Sequence, residues 1–159
     1  MHMKKVIVMQ GVPGSGKSTH ASKVALNAQQ AGGRVVTASA DDFFINLGGG
    51  EYKFDGSKLS EAHGECFRAF IHAVMNNADM VIVDNTNTTP MEISPYMLAA
   101  QAFGYEAEVH RIECDPDVAA ARNTHGVSAS SVKVMHERMA NNSLPPWWKT
   151  VTTRESVAL

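Results

Sequence analysis

At 159 residues the chain is long enough to bury a core without disulfides or a structural metal, and too short for two domains of ordinary size. Its 44% hydrophobic and 19% charged composition is that of an ordinary globular protein, and no apolar run approaches the ~20 residues that a bilayer crossing needs. A formal net charge of −2 excludes a polycation that grips nucleic acid by bulk electrostatics, so any nucleic-acid contact has to be local.

Met1-His2-Met3-Lys4-Lys5 reads as the direct approach to a strand rather than as a leader peptide. Cys66 and Cys114 lack metal-ligand spacing and read as reduced thiols, which fits a cytoplasmic protein with no membrane partner. The seven histidines show no H-E-x-x-H or similar pairing.

The apolar run Val6-Ile7-Val8-Met9 predicts a first strand, and Gly11-Val12-Pro13-Gly14-Ser15-Gly16-Lys17-Ser18-Thr19 comes directly after it. This stretch fits G-x-x-x-x-G-K-[ST] at every position, with strand, glycine-rich turn and helix start in the order a phosphate-binding loop demands. The glycines let backbone N–H groups wrap an anion, Lys17 brings a positive charge to the β/γ-phosphates, and Ser18 offers a hydroxyl to Mg²⁺. These residues together predict nucleotide binding.

A helix is predicted from Lys17 to about Gly32, then a short strand over Arg34–Ala38 that ends at Ser39-Ala40-Asp41-Asp42-Phe43-Phe44. Strand, helix and strand joined by tight turns predict a right-handed crossover onto a parallel sheet, whose ligands collect at the carboxyl ends of its strands. Asp41 and Asp42 therefore arrive at the edge that carries the phosphate loop. Residues 45–58 show no sustained period and read as a loop at that edge. Phe43, Phe44, Tyr52 and Phe54 are candidates for a face on which a base stacks, or for core anchors of that loop.

Leu59 to Met75 is predicted as a helix by its apolar stripe, with His63 on it as a candidate substrate contact. Met80-Val81-Ile82-Val83 predicts a strand buried on both faces, ending in Asp84-Asn85-Thr86-Asn87. Asp84 is the candidate partner of Mg²⁺ through Ser18, and Asn85 and Asn87 are candidate substrate dipoles at the same rim. A helix is expected over Glu92–Phe103 with Pro95 in its first turn, then a strand from Tyr105 to about Ile112. Asp115 caps a helix that breaks at His125-Gly126, and a second begins at Ser128. Two short helices joined at a glycine predict a lid over about residues 117–140, with Arg122 reaching the phosphates. The tail, 141–159, is expected to pack against the body of a single domain spanning 1–159.

Taken together, G-x-P-G-S-G-K-S-T, Ser39-Ala40-Asp41-Asp42-Phe43-Phe44, Val83-Asp84-Asn85-Thr86-Asn87 and Arg122-Asn123-x-His125-Gly126-Val127 resemble the kinase domain of the polynucleotide kinase-like P-loop family over roughly residues 4–140. The motifs are similar also in viral P-loop kinases of hydroxymethyl pyrimidines in DNA. The resemblance implies an α/β three-layer sandwich, parallel strands in order 2-3-1-4-5 with helices on both faces, and a small helical lid. It implies ATP and Mg²⁺ as cofactors, Asp41 as the base that takes the acceptor proton, and Lys17 and Arg122 as charge stabilisers. The implied acceptor is a hydroxyl on nucleic acid, DNA rather than RNA: a 5′-OH end or the hydroxymethyl group of 5-hydroxymethyluracil. The chain departs from end-specific relatives at Phe44 and His125, both positions where those relatives carry arginine. A small-molecule kinase acting on a metabolite, nucleoside or antibiotic uses the same loop and a comparable aspartate, and the modest net charge suits it. A nucleotide-dependent binding module is the third class, and an aspartate placed as a proton acceptor argues against it.

Overall fold

The first strand, β1 (Lys5–Gln10), is apolar on both sides because both are covered. Val6 and Val8 pack toward one layer of helices, Ile7 and Met9 toward the other. In this computed structural model, which describes residues 4–155, β1 pairs in parallel with β3 (Met80–Val83) on one side and β4 (Glu106–Glu113) on the other. Strand β2 (Val35–Ala38) and strand β5 (Lys149–Arg154) close the two edges, giving the order β2-β3-β1-β4-β5. The structure is thus the α/β sandwich with the 2-3-1-4-5 sheet that the resemblance implies.

Helix α1 (Lys17–Gln30) covers Ile7, Met9 and Ile82 with Ala21, Val24 and Ala25. On the opposite face, α3 (Leu59–Met75) and α4 (Pro90–Ala102) bury the larger cluster, which holds Phe70, Ile93, Tyr96 and Met97 over Val6, Val81 and Val109. A third cluster joins Val12 and Cys114 to α5 (Pro116–Arg122) and α6 (Ala129–Asn141) through Ala119, Val132 and Met139. The strand register decides where the connecting loops gather. Val8 and Ala38 both stand opposite Val83, so the segments leaving β1, β2 and β3 emerge together at one rim.

Four local features differ from the expectation. Residues Asp41–Leu47 form a short helix, α2, inside a stretch expected to be strand end and loop; its last carbonyls are met by Gly48 and Gly49 N–H groups. Helix α4 begins at Pro90, two residues earlier than expected. Thr89 N-caps it, its N–H bonded to the Glu92 carboxylate at 3.0 Å in a capping box, with proline where no N–H is needed. Pro95 consequently falls in the second turn and leaves the Met91 carbonyl without its usual donor. The tail contributes the edge strand β5, while Trp148 packs on the main core and Trp147 stands 80% exposed. Met1-His2-Met3 lies outside the described residues.

Strand β4 breaks the apolar pattern on the α1 side, where Glu108 and His110 lie beside Ile7 and Met9 and are both buried. His110 Nε2 is 2.9 Å from Glu108 Oε1. An ionised carboxylate only accepts, so His110 Nε2 carries a proton, and His110 Nδ1 lies 2.9 Å from His20 Nε2, a hydrogen bond in which one ring donates and the other accepts. Lys149 at 3.0 Å and Lys5 at 3.5 Å complete the charge balance around Glu108. This chain ties α1, directly after the phosphate loop, to β4 and β5.

Candidate active site

The phosphate loop turns at two glycines with left-handed backbone, Gly14 (φ +79) and Gly16 (φ +95). Their reasons differ. A Cβ on Gly14 would lie 2.0 Å from the Ala119 carbonyl oxygen and 2.8 Å from Asn123 N, so α5 seats directly on the loop. A Cβ on Gly16 would instead meet the Glu155 carboxylate at 2.7 Å. Val12 is buried against α5 and α6, Ser15 is buried within the loop, and Lys17, Ser18 and Thr19 open α1.

Across the rim, Ser18 Oγ donates to Asp84 Oδ2 at 2.9 Å, and Lys17 Nζ is 3.5 Å from Asp84 Oδ1. Asp84 Oδ1 is buried with no hydrogen-bond partner among the described residues. A hydroxyl beside a carboxylate with one oxygen free of hydrogen bonds is the donor set a hard cation prefers, so Ser18 and Asp84 fit Mg²⁺, with the Lys17 ammonium 3.5 Å from that oxygen.

A cleft of about 850 Å³ runs from this corner past Asp41 to Tyr52, Phe54, Leu59 and His63, roofed by residues 122–128 and α6. The structure therefore brings Lys17, Ser18, Asp84, Asp41 and Arg122 to one cavity. Asp41 is half-exposed in the first turn of α2, and His125 Nε2 lies 3.6 Å from its Oδ2. Tyr52 packs on His125 with ring centroids 4.2 Å apart, and burial together with the nearby Asp41 charge raises its phenol pKa. Arg122 ends α5 and pairs with Glu155 at 3.7 Å.

Other candidates are placed differently. Asp42 is exposed and does not line the cleft; the desolvation it does meet, then the Asp41 and Asp84 charges, push its carboxyl above the ordinary range. Phe43 packs on the main core, and Phe44 is only 2% exposed, ringed by Phe43, Tyr52 and Phe54. Phe44 thus has no free face for a base, whereas Phe54, 56% exposed at the cleft, has one. Asn85 accepts from Ala40 N–H and donates to Cys66, fastening β3 to β2. Asn87, at φ +47, donates to the Met9 carbonyl, fastening β3 to β1. Asn85 also lines the cleft, whereas Asn87 lies outside its lining and serves the scaffold.

The cleft also holds Glu92, Met135 and Arg138, which the motifs do not single out. Glu92 was within reach of sequence reasoning, because Thr89-Pro90-Met91-Glu92 spells a capping box. Glu155, beyond the last strand, had no local signal.

The family model described as an AAA domain matches residues 6–140, most of the chain. The chain belongs to the AAA domain family. As a member, it is 33% identical over 137 residues to the human (Homo sapiens) NEDD4-binding protein 2; the match covers 83% of this chain but only 7% of that protein. In fold this AAA domain resembles a putative kinase from Chloroflexus aurantiacus, with a TM-score of 0.71 at 14% identity over 96% of this chain and 88% of that one. It also resembles a chain of the Pnkp1/Rnl/Hen1 RNA repair complex (TM-score 0.69, 15% identity, 88% and 45% covered). The APS kinase CysC of Mycobacterium tuberculosis is similar as well (TM-score 0.62, 14% identity, 98% and 92% covered). At these identities the likeness is one of fold.

Proposed function

We propose that this AAA domain is an ATP-dependent phosphotransferase that moves the γ-phosphoryl group to a hydroxyl acceptor. The observation that carries the proposal is the placement of the half-exposed Asp41 carboxylate in the same cleft as Lys17, Ser18 and Asp84. A module that only binds nucleotide has no use for a proton acceptor there.

The loop N–H groups and Lys17 hold the phosphates, and Arg122 offsets charge as it develops on the transferred group. Asp41 accepts the hydroxyl proton as the new oxygen–phosphorus bond forms and the bond to the β-phosphate oxygen breaks. Ser18 and Asp84 would hold Mg²⁺, which supplies charge neutralisation on the phosphate oxygens.

Between the two acceptors, a small hydroxyl-bearing molecule is the better fit. The part of the cleft around Asp41 presents Tyr52, Phe54, Leu59 and His63; among the described residues, the only Lys or Arg lining the cleft are Lys17, Arg122 and Arg138, at the phosphate loop and on α5 and α6. A polynucleotide backbone needs cations to track it. The nucleic-acid reading is favoured by one feature, the exposed Phe54 ring, which suits a terminal or extruded base. Incubation with γ-labelled ATP against free nucleosides, sugars, 5′-OH DNA, 5′-OH RNA and hydroxymethyluracil duplex tests both readings. Label should move to a small acceptor in the wild type and to nothing in Lys17→Ala, and preferential transfer to the polymers would reverse the ranking.

A further inference from the structure

The loop that joins α5 to α6 is closed by one side chain. Asn123 Oδ1 accepts the Val127 N–H at 3.0 Å, while Asn123 Nδ2 donates to the Val127 carbonyl at 3.0 Å and the Ala120 carbonyl at 2.9 Å. The amide's donor and acceptor ends are thereby both committed to backbone on the flanks of the loop. Gly126 turns with φ +71, and Ser128 caps α6 by accepting from Ser131 N–H at 3.2 Å. The tip, Thr124-His125-Gly126, is thus held at both ends although it makes no secondary structure.

What the latch delivers is His125. Its ring rests on Tyr52 and its Nε2 stands 3.6 Å from Asp41 Oδ2, beyond ordinary hydrogen-bond length. A hydroxyl oxygen brought to Asp41 therefore comes within reach of His125 as well. Such an oxygen has one proton and two lone pairs. The proton goes to Asp41, one lone pair accepts from His125 Nε2–H, and the second is left for the γ-phosphorus.

We propose that His125 fixes the acceptor hydroxyl for attack and that Asn123 is the positioning residue that holds His125 there. This rests on the phosphotransferase reading. When the bond to phosphorus forms, the proton leaves on Asp41 and the β-phosphate oxygen departs with the bonding pair; His125 keeps its own proton throughout. Nε2–H is the tautomer this role needs.

Two measurements test it. In the first, NMR of the full chain follows the His125 ring protons, which the Tyr52 ring should shift upfield. Asn123→Ala should move them toward the values of an exposed histidine and leave the other histidines in place. Asn123→Asp, which can accept from Val127 N–H but donates to neither carbonyl, should move them part-way and serves if the alanine variant does not fold. Unmoved His125 signals in a folded variant would overturn the latch. In the second, ATP turnover is read with water as the acceptor, so that no other substrate is needed. His125→Phe keeps a ring against Tyr52 but no donor, and should lower turnover about tenfold or more at unchanged affinity for a fluorescent ATP analogue. His125→Gln restores an N–H donor and should recover most of the loss. Equal turnover in wild type and His125→Phe would overturn the role of His125. A wild type that binds ATP and transfers to no acceptor would refute the phosphotransferase reading instead, and the ring-shift comparison would still decide the latch.

Discussion

Gly14 answers to two constraints, a left-handed φ of +79 and a carbonyl of α5 where its Cβ would lie. Gly49 has only the first, with φ +67 and open space around it. Gly49→Ala should therefore cost about 1–2 kcal/mol, the conformational penalty alone. Gly14→Ala should cost clearly more, because α5 has to move, and urea unfolding of the two variants measures the difference. At Asp41 the expected effect is on chemistry: Asp41→Asn should lower turnover by about 10²–10⁴-fold at nearly unchanged ATP affinity. Asp42→Asn, off the cleft, should lower it far less. Parity of the two in steady-state kinetics would contradict the assignment of the base. Much of this site is legible in the residues, since Lys17, Ser18, Asp41 and Asp84 each come after a strand and carry their chemistry with them. Phe44 is the counter-example: no periodicity separates an aromatic that seals a loop from one that faces a ligand, and only packing buries Phe44 while leaving Phe54 outside.

The elements that the sequence conceals are those stabilised by their neighbours rather than by pattern. Helix α2 is seven residues long, has an alanine at its N-cap with only Ser39 Oγ meeting its first N–H, and stands because Phe44 buries beneath it. Strand β5 is Lys-Thr-Val-Thr-Thr-Arg, exposed at five of six positions, and an edge strand of that kind shows no apolar alternation to read. Elements with a buried apolar pattern, the long helix α3 and the short central strand β3 among them, announce themselves because the apolar spacing is itself the cause of their position. β5 has a consequence for the end of α5, since it brings Glu155 beside Gly16 and against Arg122. The pair is partly exposed at 3.7 Å and is worth at most about 1 kcal/mol, so on the proposed reading Arg122 gives up little in leaving Glu155 for a phosphate. Glu155→Gln should leave the unfolding midpoint almost unchanged and tighten ATP binding about twofold to tenfold, by removing negative charge from the phosphate site. Weaker ATP binding in a titration of this variant would show that Glu155 orients Arg122 rather than competing for it.

At the scale of the whole molecule, the chain from His20 through His110 to Glu108 joins the phosphate-loop helix to the far edge of the sheet, and it makes stability depend on pH in two steps. Burial, then the neighbouring His110 and Lys23, hold the His20 imidazole below its ordinary pKa of 6.5, so the folded state favours neutral His20 more than the unfolded chain does. That contribution is complete above 6.5 and is lost as pH falls through the lower folded value. Burial opposes charge on Glu108, but His110, Lys149 and Lys5 outweigh it and hold its carboxyl below 4.5; its contribution is present above 4.5 and is lost on further acidification. Asp42 acts in the opposite sense, because a carboxyl raised above 3.8 by desolvation and by Asp41 and Asp84 is relieved on protonation. Stability should accordingly fall in two limbs on acidification, one setting in below 6.5 and the other below 4.5, the lower one softened by Asp42. His20→Gln, which keeps an N–H to donate to His110, should remove the upper limb alone. Glu108→Gln should remove the lower limb and lower stability at pH 7, since it leaves Lys149 and Lys5 without their buried counter-charge. Asp42→Asn should raise stability at pH 7. Urea midpoints of the three variants across both limbs read each one separately, and a His20→Gln profile superimposable on that of the wild type would show that the histidine chain contributes nothing to the pH dependence.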